Sequence, residues 1–260
     1  MASVRLTAAL KDEYQRLFDT CDIRASRMAS VEQCVTAISG NRGRYEAVSA
    51  MTGGVPWHVI AAIHNMESSL RFDKHLHNGD PLTARTKNVP AGRPKTGNPP
   101  FTWEESAADA LSYEGLDRWT DWSLPGTLYK LEGYNGWGYR LYHPHVLSPY
   151  LWAASPHYTS GKYVSDGRWS DNAVSTQIGA AVILRRMAEL GIITFAGVRV
   201  KLPLLRYTGN KVLPYGEELQ RFLNQLPGIY LLVDGRPGRK TSDAFHAVTG
   251  YYLAGDPEAD

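Results

Sequence analysis

Along most of this chain apolar residues recur at helical spacing, and short glycine- or proline-bearing breaks separate the recurrences. Residues 4–20 place Leu6, Leu10, Tyr14, Leu17 and Phe18 on one face, the spacing of an amphipathic helix. The same period predicts helices over 31–38 and 42–51, the second stopped by Thr52-Gly53-Gly54. Residues 55–82 then open on Val55-Pro56, and proline suits a first helical turn because its missing N–H costs nothing there. Val59, Ile63, Met66 and Leu70 make one buried stripe, with Glu67 one turn beyond Ile63 at its edge.

The pattern changes after residue 70. Residues 71–100 are rich in Gly, Pro, Asn, Asp and Thr; 83–89 would supply short strands of a hairpin, and AGRPKTGNPP is irregular. A loop this long inside a compact domain is usually functional. Helical spacing resumes over 103–116, with Glu104 and Glu105 in the first turn, where the helix dipole favours acids. Residues 124–142 are aromatic- and glycine-rich, 143–170 read mostly as loop, and 171–190 read as a strong helix. Asp171 is its expected cap, and Ile178, Ala181, Val182, Leu184, Met187 and Leu190 form its inner side. A composition break near 197–201 divides the chain into two expected domains, 1–199 and 200–260. The expected fold class is mostly α (α+β).

Composition narrows the partners. The chain has 260 residues, 43% hydrophobic and 21% charged, enough for one sizeable core and a small second domain of ordinary globular type. Lys and Arg outnumber Asp and Glu by only 28 to 26 with no basic run, so no nucleic-acid partner is expected. The two cysteines, Cys21 and Cys34, form no CxxC pair and are read as free thiols rather than a disulfide scaffold. The N-terminal MASVRLTAALKDEYQRLF lacks the apolar core of a signal peptide. No stretch reaches the roughly 20 apolar residues of a membrane span.

Glu67 is the first candidate for chemistry. A carboxyl at the edge of a buried stripe is partly desolvated, which raises its pKa, and a general acid near neutral pH needs that. The competing reading is a solvated glutamate near a helix end, the commonest fate of the residue type. Asp80 and Thr86 on the following loop could face Glu67 across a groove. Two carboxyl groups on opposite walls are the minimum for glycoside hydrolysis in its usual form.

A helix ending in Glu67-Ser68, then a polar glycine-bearing loop, then Tyr134-Asn135-Gly136 resembles the lysozyme superfamily, goose-type lysozymes and soluble lytic transglycosylases in particular. Asp80-x5-Thr86 is similar to phage-type lysozymes, although the gap from Glu67 to Asp80 is longer here. NGDPL, VPAGRP and FTWEESAADAL resemble a bacterial and phage group of muramidases. The resemblance covers about residues 42–190. It implies a lysozyme-like catalytic domain with a small β-hairpin lobe, in which Glu67 is the general acid and Asp80 with Thr86 handles water. It further implies that Ser68, Tyr134, Asn135, Gly136, Trp137 and Tyr139 line a glycan groove. The substrate would be the β-1,4 bond between N-acetylmuramic acid and N-acetylglucosamine, cut without a cofactor. If Asp80 and Thr86 do not act, the muramic 6-hydroxyl attacks instead, as in a lytic transglycosylase.

Residues 202–253, with Val212, Leu219-Gln220, Leu223-Asn224, Val233-Asp234-Gly235, Gly238, Thr241 and Ala244-Phe245, resemble the three-helix peptidoglycan-binding domain. They depart from it by an insertion at 227–232 and a missing terminal Phe-Gln. A peptidoglycan partner and a monomer are therefore expected. The absent signal peptide suits synthesis in the cytoplasm and action on the wall, as in a phage endolysin released through a holin or an injected effector.

Rival readings remain. His64, His75, His77 and Asp80, with His143 and His145, could bind zinc as in a peptidoglycan peptidase, but no established ligand spacing is present. The aromatic set Tyr134, Trp137, Tyr139, Tyr142, Tyr150, Trp152 and Tyr158 could stack on sugars or simply pack beneath a loop. A non-catalytic wall-binding component would carry the same C-terminal segment.

Overall fold

The computed structural model describes residues 4–165, 167–196 and 205–259. Among them the chain is mostly helical, with one small antiparallel sheet. The early helices are α1 (Ala8–Asp19), α2 (Ala25–Gly40), α3 (Arg42–Met51), α4 (Trp57–Ser68) and α5 (Trp103–Tyr113). Then come α6 (Leu124–Asn135), α7 (Gly138–Tyr142) and α8 (Pro149–Trp152), the hairpin β1 (Lys162–Ser165) and β2 (Arg168–Ser170), and α9 (Ala180–Glu189). The last two helices are α10 (Gly216–Leu223) and α11 (Arg239–Thr249). Two compact units result: Met1–Asp22 with Ser30–Val200, and Ile23–Ala29 with Lys201–Asp260. The boundary expected at 199 and 200 lies outside the described residues.

In the larger unit α4 is the central helix, packed against α3, α6 and α9. Val59, Ile60, Ala61, Ala62, Ile63, His64 and Met66 are all buried, so the single stripe expected here is a helix buried on nearly every side. Ile60 and Ile63 are fully enclosed, and truncating either to alanine should cost about 2–5 kcal/mol. Leu70, assigned to the stripe by spacing, falls beyond the helix. Ser69 and Leu70 both adopt left-handed φ, 51° and 60°, and their N–H groups donate to the Asn65 and His64 carbonyls. Non-glycine residues in that conformation store about 1–2 kcal/mol each, so the chain reverses under strain directly after Glu67-Ser68.

Local chemistry explains where several elements start. Thr102 and Glu105 close a capping box at α5, while Glu104 pairs with Arg44 on α3 at 2.6 Å. Ser123 caps α6. Across α1, α6 and α7, the Tyr14 hydroxyl donates to Glu132, and Arg140 bridges Glu132 at 2.8 Å and Glu13 at 3.0 Å. Removing one member of such a buried set costs about 3–5 kcal/mol.

Three expectations are corrected. Residues 83–89 form no strands; the Asp80 carboxylate accepts the Lys87 and Asn88 N–H groups, which a ladder would have used. The hairpin lies instead at 162–170, pairing Lys162 with Ser170 and Tyr163 with Trp169. The helix expected over 171–190 starts only at Ala180: Asp171 accepts from the Trp169 indole, and the Ser175 N–H goes to the Tyr158 hydroxyl. Gly179 precedes α9 because a Cβ there would stand 2.2 Å from the Leu151 carbonyl oxygen.

The smaller unit, expected as three helices, shows α10 and α11 among its described C-terminal residues. Gln220, 2% exposed, joins them. Its carbonyl accepts the Asp234 and Gly235 N–H groups, and its amide donates to Asp234 and the Thr241 hydroxyl. Thr241 thus belongs to this knot, and Gly238 caps α11. No helix among the described residues is long and apolar enough to cross a membrane.

Candidate functional site

Glu67 sits one residue before the end of α4, partly buried. The Tyr150 hydroxyl donates to its Oε1 at 2.9 Å. Burial pushes the Glu67 carboxyl up to about 7, the Tyr150 hydrogen bond draws it partly back, and the Glu114 carboxylate adds to the rise. The group is therefore poised to hold or release a proton near neutral pH, as a general acid requires. Burial, followed by the nearby Glu67 charge, keeps the Tyr134 and Tyr150 hydroxyls well above their ordinary values, so both remain donors.

Tyr150 also lines a groove of about 430 Å³. Asn135, Gly136 and Tyr139 form one part of its wall, and Lys162 and Tyr163 on β1 form another. Gln177 lines it too and donates to the Met66 carbonyl at 3.1 Å. Two groove residues thus reach back to the last turn of α4, one to Glu67 itself. The hairpin wall is braced by rings: Tyr163 meets Tyr139 at 5.4 Å and Trp169 at 5.2 Å, and Trp169 stacks on His143 at 3.5 Å.

The other expected residues occupy different places. Asp80 accepts from the Lys87 N–H at 2.7 Å, the Asn88 N–H at 3.0 Å, the Asn88 amide at 2.7 Å and the Asn78 amide at 3.2 Å. These donors, the Asn88 N–H foremost, hold its pKa below the usual carboxylate value. Thr86 is buried; its hydroxyl donates to the Pro90 carbonyl and accepts from the Arg93 N–H. The Asp80 turn nevertheless closes on the catalytic candidate's helix, since a Cβ on Gly79 would lie 3.6 Å from the Glu67 carbonyl oxygen. Ser68 is buried and donates to the His64 carbonyl. Tyr134 and Trp137 line a separate cavity of about 120 Å³ with Glu114 and Lys130, and the Tyr134 hydroxyl donates to the Leu76 carbonyl.

The histidines are structural in their contacts. His64 meets the Tyr45 hydroxyl at 3.0 Å inside a cluster with Phe72 and Trp103, and burial lowers it to about 4. His75 bonds Ser106 and the Ala84 carbonyl, and His77 meets Asp109. Among the described residues no three His, Cys, Asp or Glu side chains stand together where they could hold a metal ion. Cys21 and Cys34 are buried free thiols, pushed up by burial to about 12 and about 11.

Neither a protein-family model, nor a curated protein, nor a solved structure matches this chain. The site is therefore read from its own geometry. Sequence reasoning placed Tyr150 only within a broad aromatic set and passed over Gln177 and Glu114 as site residues. Tyr150 lies 83 residues from Glu67, and no local pattern joins them. Glu114, at the C-cap of α5, looks in sequence like any acid at a helix end.

Proposed function

We propose that this protein is a peptidoglycan-degrading muramidase with a lysozyme-like catalytic domain. It cleaves the β-1,4 bond between N-acetylmuramic acid and N-acetylglucosamine. The observation that carries this reading is a part-buried Glu67, its pKa raised by burial, held by a tyrosine that lines an open groove. Glu67 gives its proton to the glycosidic oxygen as the bond to the anomeric carbon breaks, and the departing sugar leaves as an alcohol. Tyr139 and Tyr163 set aromatic rings in the groove wall beside the polar Asn135 and Gln177, the mixture that sugars need. The ionised Glu67 then takes a proton from the nucleophile that attacks the anomeric carbon.

A second reading is favoured by Asp80, whose oxygens are bonded into their own loop. With Asp80 so engaged, the muramic 6-hydroxyl is the nucleophile and the product is a 1,6-anhydro sugar. One carboxyl then serves as acid and base. The smaller unit would hold the enzyme on the wall; Tyr230, Leu232 and Tyr251 on it are exposed. Action on the wall as a monomer, after release through a holin or by injection, completes the proposal.

Mass spectrometry of fragments released from purified sacculi tests both readings. Reducing muramic ends indicate hydrolysis, and anhydro ends indicate transglycosylation. Release of no glycan fragment, or of peptides alone, contradicts both.

A further inference from the structure

Among the described residues lining the groove, Lys162 carries the only formal charge. It is half-buried as the first residue of β1, and no described carboxylate pairs with it. Other long cations in the unit, such as Arg44, Arg93, Arg140 and Arg186, are tied to acids. A half-buried ammonium without a counter-charge loses hydration that an anion would restore. Its place is fixed, because the neighbouring Tyr163 is wedged between Tyr139 and Trp169. Gly138 admits that ring closely: a Cβ there would meet it at 3.3 Å. Around Lys162 the groove offers neutral hydrogen-bonding groups, Asn135, Ser165, Ser175 and Gln177. A neutral sugar can hydrogen-bond there but cannot balance the ammonium's charge.

We propose that Lys162 makes this groove selective for a glycan bearing a carboxylate, binding that substituent beside the sugar linkage. The proposal rests on the glycan-cleaving reading for its ligand. In peptidoglycan the carboxylate comes either from the lactyl ether of muramic acid or from the peptide attached to it. Lys162 is then a specificity residue that contributes to binding rather than to proton transfer.

Calorimetric titration of the full-length Glu67→Gln protein, which keeps the groove, tests this with three probes. They are an N-acetylglucosamine tetramer, the alternating muramic tetrasaccharide with free lactyl carboxylates, and the same tetrasaccharide carrying peptides. At least one acidic probe should bind about tenfold more tightly than the neutral tetramer, the effect of one charge-assisted hydrogen bond. Preference for the peptide-free probe assigns the lactyl carboxylate, and preference for the peptide-bearing probe alone assigns the peptide. Adding Lys162→Met should abolish the preference while measurable binding of the neutral tetramer persists, which also shows an intact groove. Lys162→Arg should retain it, and salt should weaken it. Equal binding of all three probes, no binding, or a preference that survives Lys162→Met overturns the proposal. Selective binding by a wild-type protein that cleaves no glycan would overturn the muramidase reading and leave this subsite standing; cleavage without selectivity would do the reverse.

Discussion

Glu67 and Asp80 lie thirteen positions apart in the chain, and their environments drive them in opposite directions. Glu67 ends a helix buried on nearly every side and has one hydroxyl donor, so burial dominates and its carboxyl rises to about 7. Asp80 lies on a polar loop where two backbone N–H groups and two side-chain amides converge on it, so its charged form is favoured. One acid is kept ready to give a proton; the other organises backbone. Identity of residue type says nothing about role until burial and donors are counted.

The strongest way to break this comparison is to swap the effects of the two acids. Glu67→Gln, nearly isosteric, should lower lytic rate on sacculi by about 10²–10⁴-fold with the fold retained. Asp80→Asn should act mainly on stability, lowering it by about 1–3 kcal/mol as backbone donors lose a charged acceptor. Urea unfolding alongside a lysis assay separates the two. An Asp80→Asn protein of unchanged stability and lost activity would make Asp80 a chemical partner after all.

Stability against pH sharpens the same contrast. The native carboxyl of Glu67 binds its proton more tightly than the unfolded one, so its ionisation opposes folding. The penalty is absent below the ordinary value of 4.5 and grows until pH passes about 7, reaching at most about 3 kcal/mol. Glu67→Gln should therefore stabilise the protein at pH 8 relative to wild type, and not at pH 4, when melting curves are compared. Tyr150→Phe removes a bond that favours the ionised acid; the basic limb of the pH–rate profile should move up, with about a tenfold loss of rate. The smallest effect belongs to Glu114→Gln. Loss of its charge should move the same limb down slightly, without a comparable loss of rate at its optimum.

Much of this was legible in local pattern. Gly53-Gly54 marked the end of α3, Glu104 and Glu105 marked the first turn of α5, and Glu67 stood out from its position beside Ile63. What was not legible depended on partners distant in the chain. The helix over 171–190 reads correctly at Ala181, Val182, Leu184 and Met187, but Leu190 is exposed at its C-cap. Ile178 lies before it, because Tyr158 claims the Ser175 N–H and the Leu151 carbonyl leaves no room for a Cβ at 179. The hairpin carried a signal that the aromatic density obscured. Asp166-Gly167 between Lys162-Tyr163-Val164-Ser165 and Arg168-Trp169-Ser170 is a favoured hairpin sequence. Tyr150 gave no such signal, because its role exists only where α8 meets the end of α4.

The most direct measurement is a carboxyl ¹³C NMR titration of the full-length protein, with Glu67 assigned by its absence in Glu67→Gln and Asp80 by its absence in Asp80→Asn. The account predicts that Glu67 titrates near 7 and that Asp80 titrates below its ordinary value of 3.8. A Glu67 resonance titrating at the ordinary 4.5 would contradict it, because that carboxyl would hold no proton to give at neutral pH.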